Sequence, residues 1–255
     1  TLFRSIAEFM ATKWAYEALM VHHFKDNKFE KMLYDIEKHE SVADFKVVYY
    51  IPELIEVVNE NLANIKETGD SITAVKKENF ALLRNEIGKE MKKVEQIPFP
   101  VFNMLHIDSF TNIVAFETKD YLKKLNNYYS SVFQQYNNKK ENLINFLVES
   151  GQYQKRDQYY NESVADIVKK VFEKNKILRY KDQLIQQVDP IYQDPEASCY
   201  LCFRSHFFAP RKYFMGQFFD TFWFNTLFIW FMTVVLYICL YFDLFRKLVN
   251  LFGKN

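Results

Sequence analysis

A C-terminal run without one ionisable acid or base, residues 221–242 (TFWFNTLFIWFMTVVLYICLYF), constrains this chain more than any other feature. As a helix it would cover about 33 Å, close to the hydrocarbon thickness of a bilayer. A soluble core helix rarely stays apolar on every face for so long. Phe222 and Trp223 stand at one end and Tyr241 and Phe242 at the other, where an aromatic belt would lie. The run therefore predicts a transmembrane helix. Its polar exceptions are Asn225, Thr226 and Thr233. Polar groups in a bilayer turn toward neighbouring helices or a water-lined path, so these three are candidates for interhelix or substrate-path contacts, and either role needs further spans.

The remainder is predicted mainly α, with a minor β element. Only 5 glycines and 6 prolines accompany 26 Phe, 17 Tyr and 3 Trp, too few breakers for a turn-rich sandwich or barrel. Phe3, Ile6, Met10, Trp14, Ala18 and Val21 form an apolar stripe, with Arg4–Glu8 and Lys13–Glu17 as i,i+4 surface pairs. Four charges make it a poor spanning segment, so an interfacial or re-entrant helix buried against other spans fits better, although periodicity by itself also allows an amphipathic helix of a soluble core. Pro52 is placed at the start of a helix carrying Leu54, Val58, Leu62 and Ile65, stopped at Thr68-Gly69. Asp70-Ser71 caps the next, whose stripe is Phe80, Leu83, Ile87, Met91 and Val94, ended by Pro98 and Pro100. The longest helix is predicted over 116–150, with Leu122, Leu125, Tyr129, Val132, Tyr136, Leu143 and Leu147 on one face and Gly151 as its stop. The polar patch 137–140 marks either the end of that helical hairpin or a break. A further helix carries Val164, Ile167, Val168 and Val171, residues 45–51 and 111–116 read as short strands, and 189–195 as a hinge. The boundaries are an amphipathic helix over 1–26, a helical domain over 27–200, a membrane-proximal segment over 201–220, the span over 221–242 and a tail over 243–255.

Catalytic signatures are absent. There is no phosphate-binding glycine loop, no H-E-x-x-H and no G-x-S-x-G. Net charge is +1, which leaves no field for nucleic acid. The histidines are scattered, and Asp35, Glu37 and Glu40 read as a solvated face. Asn161-Glu162-Ser163 matches a glycosylation sequon, a triplet common by chance. Cys199 and Cys202 are half of a four-cysteine zinc site at most; a local disulfide or two free thiols is the simpler reading. Arg204, Arg211 and Lys212 before the span nearly balance Arg246, Lys247 and Lys254 after it, so the positive-inside rule gives little direction, and the short tail is placed in the cytoplasm. With Thr1 first and no signal peptide, the chain is expected to be a piece of a longer polypeptide with earlier spans upstream.

Two stretches resemble the G subfamily of ATP-binding cassette exporters, whose permeases are of the ABC-2 type. Trp14, Ala15, Tyr16, Glu17, Ala18 and Leu19, then His22, His23 and Phe24, match the aromatic helix that follows the fifth span, with His-His where the family carries another polar pair. SHFFAPRKYFMGQFFDTFWFN, leading into the final span, is similar to the C-terminus of large transporters of this type in Bacteroidetes-like bacteria. The resemblance implies a re-entrant gate helix carrying Trp14, Tyr16 and Glu17, an external domain on the periplasmic side of a bacterial inner membrane, and a last span. It implies no cofactor in this chain, with ATP and Mg bound by a partner or upstream nucleotide-binding domain. It also implies a dimeric assembly, other spans and a periplasmic partner. A single-span helical adaptor or receptor is the alternative.

Overall fold

The structure, a computed structural model, describes residues 8–63, 70–197, 200 and 203–243, with residues 70–74 as backbone alone. It is mainly helical. In chain order come α1 (Ala11–Lys25), α2 (Glu30–Phe45), a π-turn (Lys46–Tyr50), α3 (Ile51–Ala63), α4 (Asp70–Lys93) and α5 (Asn112–Glu149). The short helices α6 (Arg156–Tyr159) and α7 (Glu162–Lys169) follow. Two antiparallel hairpins, β1 (Ile177–Tyr180) with β2 (Gln183–Gln186) and β3 (Arg211–Phe214) with β4 (Gln217–Asp220), precede α8 (Thr221–Tyr241).

α2, the π-turn and α3 form one rod lying antiparallel to α5. Leu33 meets Leu147 at one end, the His39 ring stacks on Tyr136 at 4.6 Å further along, and Leu54 shares a core with Leu122 beyond that. α4 adds the third layer, burying Phe80, Leu83 and Ile87 as its stripe predicts, with Met91 partly buried and Val94 buried just past its end. α5 buries Leu122, Leu125 and Leu147 at helical spacing, and Gly151 follows it at φ 68, a left-handed residue suited to glycine.

Several expectations are corrected. Residues 45–51, rich in β-branched and aromatic side chains, are helical: burying Phe45, Tyr50 and Ile51 in the core outweighs their strand preference. Pro52 stands at the second residue of α3, as expected near a helix start, but the backbone ahead of it is already helical. The proline lies within the rod, and the π-turn ahead of it, where Ile51 N–H donates to Lys46 O, widens the backbone around a ring that has no N–H to give. Residues 111–116 are the start of α5, with the Thr111 hydroxyl accepting from Val114 N–H as the cap. The patch 137–140 neither ends nor breaks α5, which runs straight through it. Residues 189–195 are a buried clamp instead of a hinge: Pro190–Tyr192 forms a 3-10 turn, and the Tyr34 hydroxyl donates to Ile191 O at 2.7 Å. Ile167 and Val171, expected on the apolar face with Val164 and Val168, are exposed. Ile65, Thr68 and Gly69 fall outside the described residues.

α8 is long and apolar enough to cross a membrane, and only 6% of its most apolar stretch is buried. A soluble core helix would be covered, so the bare surface favours lipid or other membrane helices.

Candidate functional site

α1 lies antiparallel to the first turns of α8. Lys25 pairs with Asp220, the His22 ring stacks on Phe222 at 4.4 Å, and Trp14 packs on Phe228 at 4.5 Å. Its stripe of Trp14, Glu17, Ala18, Val21 and Phe24 is the buried face, so a carboxylate sits among apolar neighbours. Asp220 also caps α8, its carboxylate accepting from Phe222 N–H at 3.0 Å, and the Thr221 hydroxyl donates to Ala209 O at 2.6 Å.

At the centre of this junction, Glu17 is 1% exposed and accepts three hydrogen bonds. Lys212 Nζ donates at 2.7 Å, Phe208 N–H at 3.1 Å and Asn225 Nδ2 at 3.0 Å. Three elements converge: α1 supplies the anion, β3 the cation and α8 the amide. The β3–β4 turn has positive φ at both Met215 and Gly216, as a two-residue type I′ hairpin requires, and the fold turns Lys212 inward. Phe208 adopts φ 67, a costly conformation for a ring-bearing residue, and its N–H faces Glu17. Lys212 also donates to Ser205 Oγ at 2.7 Å. Burial pushes the Lys212 ammonium below its ordinary range, with Glu17 opposing the shift. Asn225 is fully buried; its Nδ2 donates a second bond to Trp14 O at 3.1 Å, while Oδ1 is left without a partner.

Of the polar residues in the span, only Asn225 reaches another helix. The Thr226 and Thr233 hydroxyls donate to the carbonyls of Phe222 and Ile229 four residues back. Of the candidate gate residues, Trp14 and Glu17 are buried against α8, and Tyr16 is half exposed beside Phe207. The predicted Lys13–Glu17 pair does not form: Lys13 pairs with Glu8 at 2.8 Å, and Glu17 turns inward. Arg4, Cys199, Cys202 and the basic residues of the tail lie outside the described residues. Two of the cations counted ahead of the span are already engaged, Lys212 with Glu17 and Arg211 with Asp194 at 2.6 Å.

The carboxylates read as a solvated face divide. Asp35 is exposed, Glu40 pairs with Lys140, and Glu37 accepts from the Tyr192 hydroxyl beneath α7. Beside Glu37 lies buried Glu30, whose carboxyl is pushed up to about 8 by burial and by Glu37 itself. A second polar network lines a cleft of about 780 Å³ in the helical domain. There Glu90 accepts from Lys46 at 2.8 Å and from Tyr129, while Glu86 accepts from Tyr50 at 2.8 Å and Lys89 at 3.0 Å. Each carboxylate is matched by a tyrosine and a lysine from another part of the fold or the next turn, an arrangement that braces three helices. Among the described residues no group of three metal-ligating side chains converges. Asn161, the sequon residue, caps α7 through its side chain.

Sequence reasoning missed Lys212, Ser205 and Phe208. The one signal was a lysine beside Tyr213 and Phe214 shortly before the apolar run, where a flanking charge is the ordinary reading. Compared with known proteins, the chain matches no family model, no curated protein and no solved structure.

Proposed function

We propose that this chain is the closing permease portion of an ATP-driven membrane exporter, with its helical domain on the exit side of a bacterial inner membrane. One observation carries the reading. The helical domain is inserted between two antiparallel helices, α1 and α8, which are joined by Glu17 and Asn225. A domain mounted in this way moves with the membrane helices, as an exit cap or a partner-recruiting domain must. The bare flank of α8 and the exposed Tyr16 and Leu19 of α1, with Phe9 just ahead of it, offer surfaces for the other spans of such a permease. In this reading α1 is docked to the last span, and opening the path moves the two together.

The test is purification of the full-length protein from its native membranes in mild detergent, followed by ATPase assay. The expected result is vanadate-sensitive ATP hydrolysis by a module on the same polypeptide or bound to it. A homogeneous protein with one span and no ATP-binding module would overturn the reading in favour of an anchored adaptor. Impermeant thiol labelling of Asn138→Cys in intact cells, with no labelling of Lys254→Cys, is the expected topology; the reverse pattern would also overturn it.

A further inference from the structure

Beside the Glu17–Lys212 pair lies a cavity of about 340 Å³. Trp14, Phe203 and Phe207 wall one side, and Lys13, Arg204 and Lys212 supply three cations. Two carboxylates answer them: Glu8 holds Lys13 at 2.8 Å, and Glu17 holds Lys212 at 2.7 Å. Arg204 is exposed at the rim and has no carboxylate partner among the described residues, so the lining carries one unmatched positive charge. His206 adds none: burial lowers its pKa, and its ring nitrogen is hydrogen-bonded to Pro190 O at 2.9 Å.

The cavity's position narrows its occupant. Trp14 packs on Phe228, and the Phe203 ring lies 5.5 Å from Phe228 and 6.4 Å from Phe224, so the cavity flanks the first two turns of α8. Where a helix enters a bilayer, that is the depth of headgroups and aromatic belts. A guanidinium offers a planar fork that fits phosphate oxygens, and a single phosphodiester carries one negative charge.

We propose that this cavity holds the phosphodiester headgroup of an anionic membrane lipid, with the phosphate between Arg204 and Lys13 and the acyl chains running past Trp14 along α8. Lys212 stays with Glu17 and shapes the floor. The proposal needs α8 to cross a membrane but does not need the exporter, so its failure leaves that reading standing.

The experiment is thermal unfolding of the full-length protein, delipidated in detergent, while phosphatidylglycerol, phosphatidylcholine or inorganic phosphate is titrated in. Phosphatidylglycerol is expected to raise the Tm, with phosphatidylcholine weaker. In Arg204→Ala the half-maximal lipid concentration should rise roughly tenfold, the effect of losing one charge-assisted contact of about 1.4 kcal/mol. Lys124→Ala, which removes an exposed cation from α5, should leave the titration unchanged. Equal stabilisation by inorganic phosphate would mean a free-anion site and overturn the lipid assignment. A response retained in Arg204→Ala, or lost equally in Lys124→Ala, would overturn the site. Lys13→Ala, measured in parallel, should weaken the same response and guards against misfolding of one variant.

Discussion

Glu17→Gln removes one charge from a pair of which neither side chain is more than 4% exposed. The variant leaves the Lys212 ammonium buried with Ser205 Oγ as its remaining partner and turns an amide toward the donor groups of Phe208 and Asn225. Breaking a buried pair in this way costs about 3 to 5 kcal/mol, because the surviving charge keeps its desolvation penalty. For a domain of this size that corresponds to roughly 6 to 20 °C in Tm. Lys212→Met should cost a comparable amount, since Glu17 would then rest on two neutral donors. Glu17→Leu with Lys212→Met should recover part of the loss but not all, because the Phe208 and Asn225 donors are orphaned at about 1 to 3 kcal/mol each. The assay is thermal unfolding in detergent, with Glu17→Gln, Lys212→Met and the double variant carrying both arranged as a double-mutant cycle, and Glu17→Leu with Lys212→Met measured beside it. Single variants losing less than about 1 kcal/mol, with no coupling between them, would show a solvated pair and refute the account of the junction.

The contribution of Glu30 to stability should fall as pH rises from about 5 to about 8, because Glu30 keeps its proton in the fold until about 8 whereas the unfolded chain loses it near the ordinary carboxylate value; buried His206, with its pKa lowered, acts in the opposite direction. Glu30→Gln should flatten that slope in Tm measured across the range. Leu122→Ala, at a fully buried position, should cost about 2 to 5 kcal/mol, and Leu122→Met less than about 1.5 kcal/mol by the same unfolding assay. Gly151→Ala meets no atom within 4 Å but must adopt φ 68, so it should lower stability by about 1 kcal/mol through the backbone alone. Gly151→Asn, which tolerates that region better, should lose less.

Where burial follows a helical period, the fold was legible in the sequence. Leu122, Leu125 and Leu147 mark α5, Phe80 to Val94 mark α4, and the unbroken apolar run marks α8. Residues 45–51 misled because a β-branched, aromatic run carries a strand preference that the surrounding core overrides. The β3–β4 hairpin escaped notice since Met215-Gly216 is not among the usual asparagine- or aspartate-glycine turn signals. The junction was half legible. Asn225 stood out as a polar residue in the span, but Glu17 had a local partner in Lys13 at helical spacing, while its true partner Lys212 lies 195 residues away. No local rule reports a contact at that separation, and no local rule tells a buried lysine from a flanking one.

The rod of α2, the π-turn and α3 is about 50 Å long at 1.5 Å per residue, and it starts beside the end of α1. With α5 strapped along it, the rod is a stiff arm fixed at one end, where Lys25 and Asp220 meet. Mechanically it is a pointer on a pivot: a rotation of about 5° at the junction sweeps the far tip, near Ala63 and Asn112, through about 4 Å. Rotations of the docked α1–α8 pair too small to distinguish at the pair itself would therefore be magnified into displacements that distance probes at the tip can read.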